Sequence, residues 1–168
     1  GKNIIGLDEY NNGFNDKEIP FLIYVAHLTR DYARSIHHNE PFGRKKYGSD
    51  RKKDREFIER ALAFTNHHPQ FFYVSIKKEE YNLITRSLGI ASLIAKFLSR
   101  YPDLNRRNTV VAIDKIDGSD STKFVKDNLE TFLKHEDISM PLFFQEHGDF
   151  FNGSIRAADS IAYYIAGL

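Results

Sequence analysis

Two short segments far apart in the chain have the same shape, and together they restrict the fold more than any other feature. Ile4-Ile5-Gly6-Leu7-Asp8 and Val110-Val111-Ala112-Ile113-Asp114 each pass through four apolar or small residues and end on an aspartate. A short apolar run rich in β-branched residues and closed by a polar one reads as a buried strand. In open α/β sheets, ligands bind beyond the carboxyl ends of parallel strands, where the loops diverge. If the two segments are parallel neighbours, Asp8 and Asp114 meet in such a crevice. The alternative is that each aspartate merely opens a turn.

The rest of the chain supplies the elements such a sheet needs. Residues 21–26 (Phe-Leu-Ile-Tyr-Val-Ala) form a second apolar run and read as a hairpin partner of the first, across a connection longer than a tight turn. Residues 31–52 are polar and basic and read as a loop, and 54–64 have helical spacing through Phe57, Ile58, Ala61 and Leu62. Residues 71–76 read as a third strand, with Phe71, Phe72 and Tyr73 as core. Residues 79–100 form the longest predicted helix, with apolar residues on more than one face, as expected of a central, well-buried element. A fourth strand ends at Asp114, an amphipathic helix over 121–135 turns Phe124, Val125, Leu129, Phe132 and Leu133 inward, and 141–145 form a fifth strand with Phe143 and Phe144 as core. Ser154 is a plausible N-cap for a last helix. The predicted fold class is α/β: a five-stranded mixed sheet, its first strands antiparallel and the remainder parallel, flanked by helices.

A length of 168 residues suits one domain, and no repeat or linker divides it. The expectation is a single domain with a basic loop-helix insertion at about 31–68. The chain has no cysteine, which excludes disulfides, thiol catalysis and cysteine-ligated zinc, and fits a cytoplasmic setting. No apolar run approaches the ~18 residues of a membrane span, and no signal pattern opens the chain.

The third informative carboxylate is on the last predicted helix. Ile155, Ala158, Ala162, Ile165 and Ala166 make an apolar stripe, and Asp159 lies within it. A carboxylate on a buried face needs a cation, because its desolvation costs several kcal/mol. Arg156 and a metal ion are the two candidates. Converging carboxylates suit Mg²⁺ or Mn²⁺, hard cations that prefer oxygen ligands. Two such ions about 4 Å apart can drive phosphodiester hydrolysis. Gly6 and Gly13 make neither a Walker nor a dinucleotide-binding motif, which disfavours P-loop chemistry.

The strand and helix order and the placement of these acids resemble the ribonuclease H-like superfamily over nearly the whole chain. Ile4-Ile5-Gly6-Leu7-Asp8-Glu9 is similar to the Gly-Ile-Asp-Glu opening of type 2 ribonucleases H. Ile155-Arg156-Ala157-Ala158-Asp159-Ser160-Ile161-Ala162 is similar to the Gln-x-Ala-Asp-x-x-Ala ending of other ribonuclease H-like families of uncharacterised function. The resemblance implies a metal-dependent nuclease, with Asp8 as central metal ligand, Asp114 as the strand-four ligand, Asp159 as the final-helix ligand and Glu9 as a fourth catalytic acid. Adjacent strand residues point to opposite faces, so Glu9 joins Asp8 only where the strand ends or bulges. Asp117 is an alternate to Asp114, and Glu146 and His147, after strand five, are secondary candidates. One departure stands out: type 2 enzymes follow their Asp-Glu with a Gly-Arg-Gly turn that reads the ribonucleotide, and here Tyr10-Asn11-Asn12-Gly13 takes its place.

Net charge is only +1, but Arg44, Lys45, Lys46, Arg51, Lys52 and Lys53 gather in the insertion. They are candidate phosphate contacts for nucleic acid (RNA, DNA or a hybrid), with a solvated basic face as the alternative. His37-His38 and His67-His68 read as incidental loop histidines. A non-catalytic nucleic-acid-binding or protein-interaction module on the same fold is the competing functional reading.

Overall fold

The computed structural model describes residues 2–32, 42, 50–64, 70–104, 106–116 and 118–168. Strand β1 (Asn3–Tyr10) pairs antiparallel with β2 (Phe21–Thr29), which pairs antiparallel with β3 (Gln70–Lys77). On its other side β1 pairs parallel with β4 (Thr109–Asp114), and β4 pairs parallel with β5 (Leu142–Gln145). The sheet order is β3-β2-β1-β4-β5, so β1 is the central strand. The two matched segments are thus parallel neighbours, with Leu7 opposite Ile113 and their aspartates one residue beyond.

Alternation along β1 splits the core into two layers. Ile5 and Leu7 join Val111 and Ile113 in a cluster covered by α2 (Leu83–Arg100) and α3 (Ser119–His135). On the opposite face Ile23, Val25 and Ala61 of α1 (Arg51–Phe64) pack with Ala157, Ala158, Ile161 and Ala162 of α5 (Gly153–Ala166). Between β5 and α5 lies a one-turn helix, α4 (Gly148–Phe151). Gly6 lets α5 lie against β1 directly, because a Cβ there would fall 2.5 Å from Ser154 and Ile155 backbone atoms. No helix among the described residues is long and apolar enough to cross a membrane.

Capping chemistry shifts several predicted boundaries. The helix expected from residue 79 begins at Leu83, because Asn82 and Thr85 close a reciprocal capping box, while Lys78–Glu80 form a separate 3₁₀ turn. The helix expected from residue 54 begins at Arg51, where Asp50 Oδ1 accepts from the Lys53 amide at 3.2 Å. Ser154 is not the cap of the last helix. Asn152 accepts from the Ser154 and Ile155 amides, and the Ser154 hydroxyl donates to the His27 carbonyl at 2.8 Å. The long helix is amphipathic and not buried all round: Ile84 and Leu88 are 48% and 47% exposed. Tyr73, Phe124 and Phe143 likewise face outward, whereas Phe72 and Phe144 pack on the core.

Candidate functional site

At the carboxyl ends of β1 and β4, one carboxylate oxygen each from Asp8, Glu9 and Asp114 lies within 4.8 Å of the others, a group that could hold a metal ion. Asp8 and Asp114 leave the sheet on the α5 side, continuing the alternation of Gly6 and Ala112. Glu9 leaves on the α2 side, where its Oε1 accepts from Arg86 Nη2 at 3.0 Å. The cluster therefore straddles the end of the central strand, and Glu9 joins it despite following Asp8 directly in sequence.

Local backbone fixes the two strand-end aspartates. Asp8 Oδ1 accepts from the Glu9 amide at 2.8 Å. Asp114 Oδ1 accepts from the Gly148 amide at 2.9 Å, which ties β4 to the start of α4. His147 precedes it in the left-handed conformation (φ 52°) and turns the chain back towards the strand ends. A Cβ on Gly148 would fall 2.7 Å from Ile155 Cδ1 and 3.1 Å from Asp114 Oδ1, so a side chain there would displace Ile155 and crowd the carboxylate.

Asp159 enters from α5, one turn beyond Ile155. Burial raises its carboxyl to about 7, with further upward pushes from the charges of Asp149, Asp114 and Glu9, against a hydrogen bond with Asp8 that lowers it. Burial also raises Asp8 well above the usual carboxylate range, and Asp159, Glu9 and Asp114 add to the effect. Asp114 is raised to about 6 by burial and then by Glu9 and Asp149, against the opposing amide hydrogen bonds of Gly148 and Asp149. Several acids forced together and partly neutralised in this way form a site short of positive charge. One atom makes the deficit concrete: Glu9 Oε2 is buried and has no hydrogen-bond partner.

Asp8, Glu9 and Asp114 thus lie together, and Asp159 reaches them through its hydrogen bond with Asp8. Arg156, the alternative partner of Asp159, places its Nε on the Asp149 carbonyl at 3.2 Å. Glu146 and His147 are exposed beyond β5 and are not part of the compact acidic group. Asp117, Arg44, Lys45, Lys46 and the two histidine pairs lie outside the described residues. Arg51, Lys52 and Lys53 are exposed at the start of α1, and Arg51, Lys52 and Arg55 line a groove with Tyr163, Tyr164 and Gly167 of α5 and its end. Tyr10, which follows Glu9 in β1, packs edge-on against Tyr163 of that groove at 5.2 Å.

Two participants escape the sequence reading. Asp149, on the one-turn α4, acts on both Asp114 and Asp159, yet a helix so short has no periodicity to announce it. Arg86 had a signal: it falls at helical spacing with the buried Ile90, Leu93 and Phe97, as Asp159 does in its own stripe.

The architecture is similar to that of several solved structures. One is the PCNA:RNase HII complex from Archaeoglobus fulgidus, at TM-score 0.57 and 14% identity, covering 98% of this chain and 72% of that one. Another is ribonuclease H2 from Pyrococcus horikoshii OT3, at TM-score 0.56 and 13% identity with the same coverage of 98% and 72%. The chain has a ribonuclease H-like fold. No family model and no curated protein sequence matches it.

Proposed function

We propose that this protein is a divalent-metal-dependent nuclease that hydrolyses phosphodiester bonds of nucleic acid, its ribonuclease H-like domain carrying an insertion at about 31–68. The observation that carries the reading is the orphaned, buried Glu9 Oε2 within an acidic group whose other members are pushed towards protonation. A buried carboxylate oxygen without a donor is costly, and a cation relieves both that cost and the mutual repulsion of the acids. The donor set is all oxygen, which fits Mg²⁺ or Mn²⁺.

Asp8, Glu9 and Asp114 would hold the ion, with Asp159 completing the set from α5 and Asp149 standing beside it. Bound there, a divalent ion supplies charge to neutralise the phosphodiester and to acidify a water. The chain's own contribution is placement. Gly148 and Glu9 amides hold the Asp114 and Asp8 carboxylates, and the close seat of α5 on Gly6 sets the depth of Asp159. Lys52 and Lys53 would hold substrate phosphates, joined by Arg51 on exchanging its 2.7 Å ion pair with Asp16 for a phosphate. The segment after Glu9 gives no basis for reading a ribonucleotide junction: Asn11 turns its side chain inward onto the Ile19 and Phe21 carbonyls at 2.8 and 2.9 Å.

The test is a cleavage screen over labelled RNA, DNA and hybrid with Mg²⁺ and with Mn²⁺, using Asp114→Asn as control. Cleavage by the wild type alone is expected. Mn²⁺ should also raise the melting temperature of the wild type by mass action, and Asp8→Asn should remove that shift. No cleavage together with no shift at millimolar metal would sink the reading. Nucleic-acid binding without either effect would favour the non-catalytic module.

A further inference from the structure

Arg86 is the largest fully buried side chain among the described residues. Both terminal nitrogens of its guanidinium are engaged, while its Nε is buried without a hydrogen-bond partner. Nη2 donates to Glu9 Oε1 at 3.0 Å and to the Tyr24 hydroxyl at 3.2 Å, and Nη1 donates to the Tyr81 hydroxyl at 3.2 Å and to Asn12 Oδ1 at 3.3 Å. The guanidinium carbon lies 5.2 Å from the Tyr24 ring centroid. Side-chain exposure is 2% for Arg86 and 8% for Glu9, so this ion pair is removed from water. Replacing a buried pair by apolar residues is often neutral or stabilising, so stability alone gives weak grounds for an arginine here.

The pair has a geometric consequence. Asp8 and Glu9 leave β1 on opposite faces, so the inner part of Glu9 lies on the α2 side of the sheet. Arg86 reaches it from α2. It occupies Oε1 and leaves Oε2 without a hydrogen-bond partner. We propose that Arg86 is a positioning residue, whose ion pair with Glu9 fixes that carboxylate so that its second oxygen serves a divalent cation together with Asp8 and Asp114. The inference rests on reading the acidic group as a metal site. Tyr24, Tyr81 and Asn12 hold the guanidinium in place, and its Nη2 holds Oε1 of the carboxylate. Lysine, a point charge on a flexible stem, would keep the charge and lose this orientation.

Calorimetric titration with Mn²⁺ tests it without recourse to activity, with wild type, Arg86→Lys, Arg86→Met, Glu9→Gln and Glu9→Gln/Arg86→Met, each checked for its fold by circular dichroism. Disturbing a residue that orients a metal ligand commonly weakens affinity about 10–100-fold, and at least a tenfold loss is expected for folded Arg86→Lys. In the Glu9→Gln background, Arg86→Met should weaken Mn²⁺ binding no further, because Arg86 acts only through Glu9. Wild-type affinity in Arg86→Lys, or independent losses that add in the double variant, would overturn the proposal. If Arg86→Lys does not fold, Tyr81→Phe removes a single anchor of the guanidinium; weakened Mn²⁺ affinity is then expected, and unchanged affinity overturns the proposal. Wild type that binds no Mn²⁺ overturns this inference and the metal-site reading together, whereas wild-type binding with unaffected Arg86 variants overturns this inference alone.

Discussion

Gly6 and Ser154 meet backbone to backbone, with the place of a Gly6 Cβ only 2.5 Å from the Ser154 carbonyl carbon. Neither side of that contact is a flexible side chain. In Gly6→Ala, α5 must move away from β1, and with it Asp159 moves relative to Asp8. Overpacking of this kind costs about 1–3 kcal/mol. The expected result is a lowered denaturation midpoint at unchanged m-value and a weakened response to Mn²⁺, read by urea titration with and without metal.

The raised carboxyls make the metal-free protein less stable as pH rises. The Asp159 carboxyl stands at about 7 in the folded state and near 3.9 when unfolded. Between those values the folded state binds more protons than the unfolded one, so stability falls with increasing pH. Without metal, the wild type should lose melting temperature from pH 5 to pH 8 relative to Asp159→Asn. Asp159→Asn should flatten that slope and raise the pH 8 value, and Mn²⁺ should restore wild type at pH 8. An unchanged slope in Asp159→Asn would count against the assignment.

His27 acts in the opposite sense. It is buried beside Ser154, with Nδ1 and Oγ 3.1 Å apart, and burial lowers it to about 4. Its unfolded value is near 6.5. As pH falls from about 6.5 to about 4, the unfolded state takes up a proton that the folded state refuses, and stability is lost. His27→Gln removes this loss, so its melting temperature should gain on the wild type progressively below pH 6.5. A constant difference between the two across that range would show that His27 does not titrate on unfolding.

The groove beside α1 offers a test of substrate contact. Lys52 and Arg55 are exposed there, and Arg55 lies 5.5 Å over the Tyr164 ring. If both meet phosphates, Lys52→Gln/Arg55→Gln should weaken binding about equally across sequences and reduce the salt slope of log K by about 2. Fluorescence anisotropy at a series of salt concentrations, in an Asp114→Asn background that prevents cleavage, measures both quantities. An unchanged slope would remove these residues from the interface.

Much of the arrangement is legible in the residues themselves. The matched strand endings specify the β1–β4 pairing, and a carboxylate in the apolar stripe of α5 marks Asp159, because burial makes polarity conspicuous. Arg86 follows the same rule on α2, but the apolar residues on that helix's other faces (Ile84 and Leu88, half-exposed) blur the stripe. Asp149 sits where the chain has too few residues for any period. The displaced helix starts have a common origin: Asn82, Asp50 and Asn152 bond amides just ahead of them, a local competition that hydrophobic spacing does not register.

The opposite departures of Asp8 and Glu9 from β1 also bear on how the chain reaches its native pairing. A strand that slips by one residue sends each side chain to the wrong face. Glu9 would then sit beneath α5 and Asp8 would turn towards Arg86, so each acid would lose the partners that now hold it. A cation bound to this group would favour the native register over the slipped one, coupling metal binding to strand pairing.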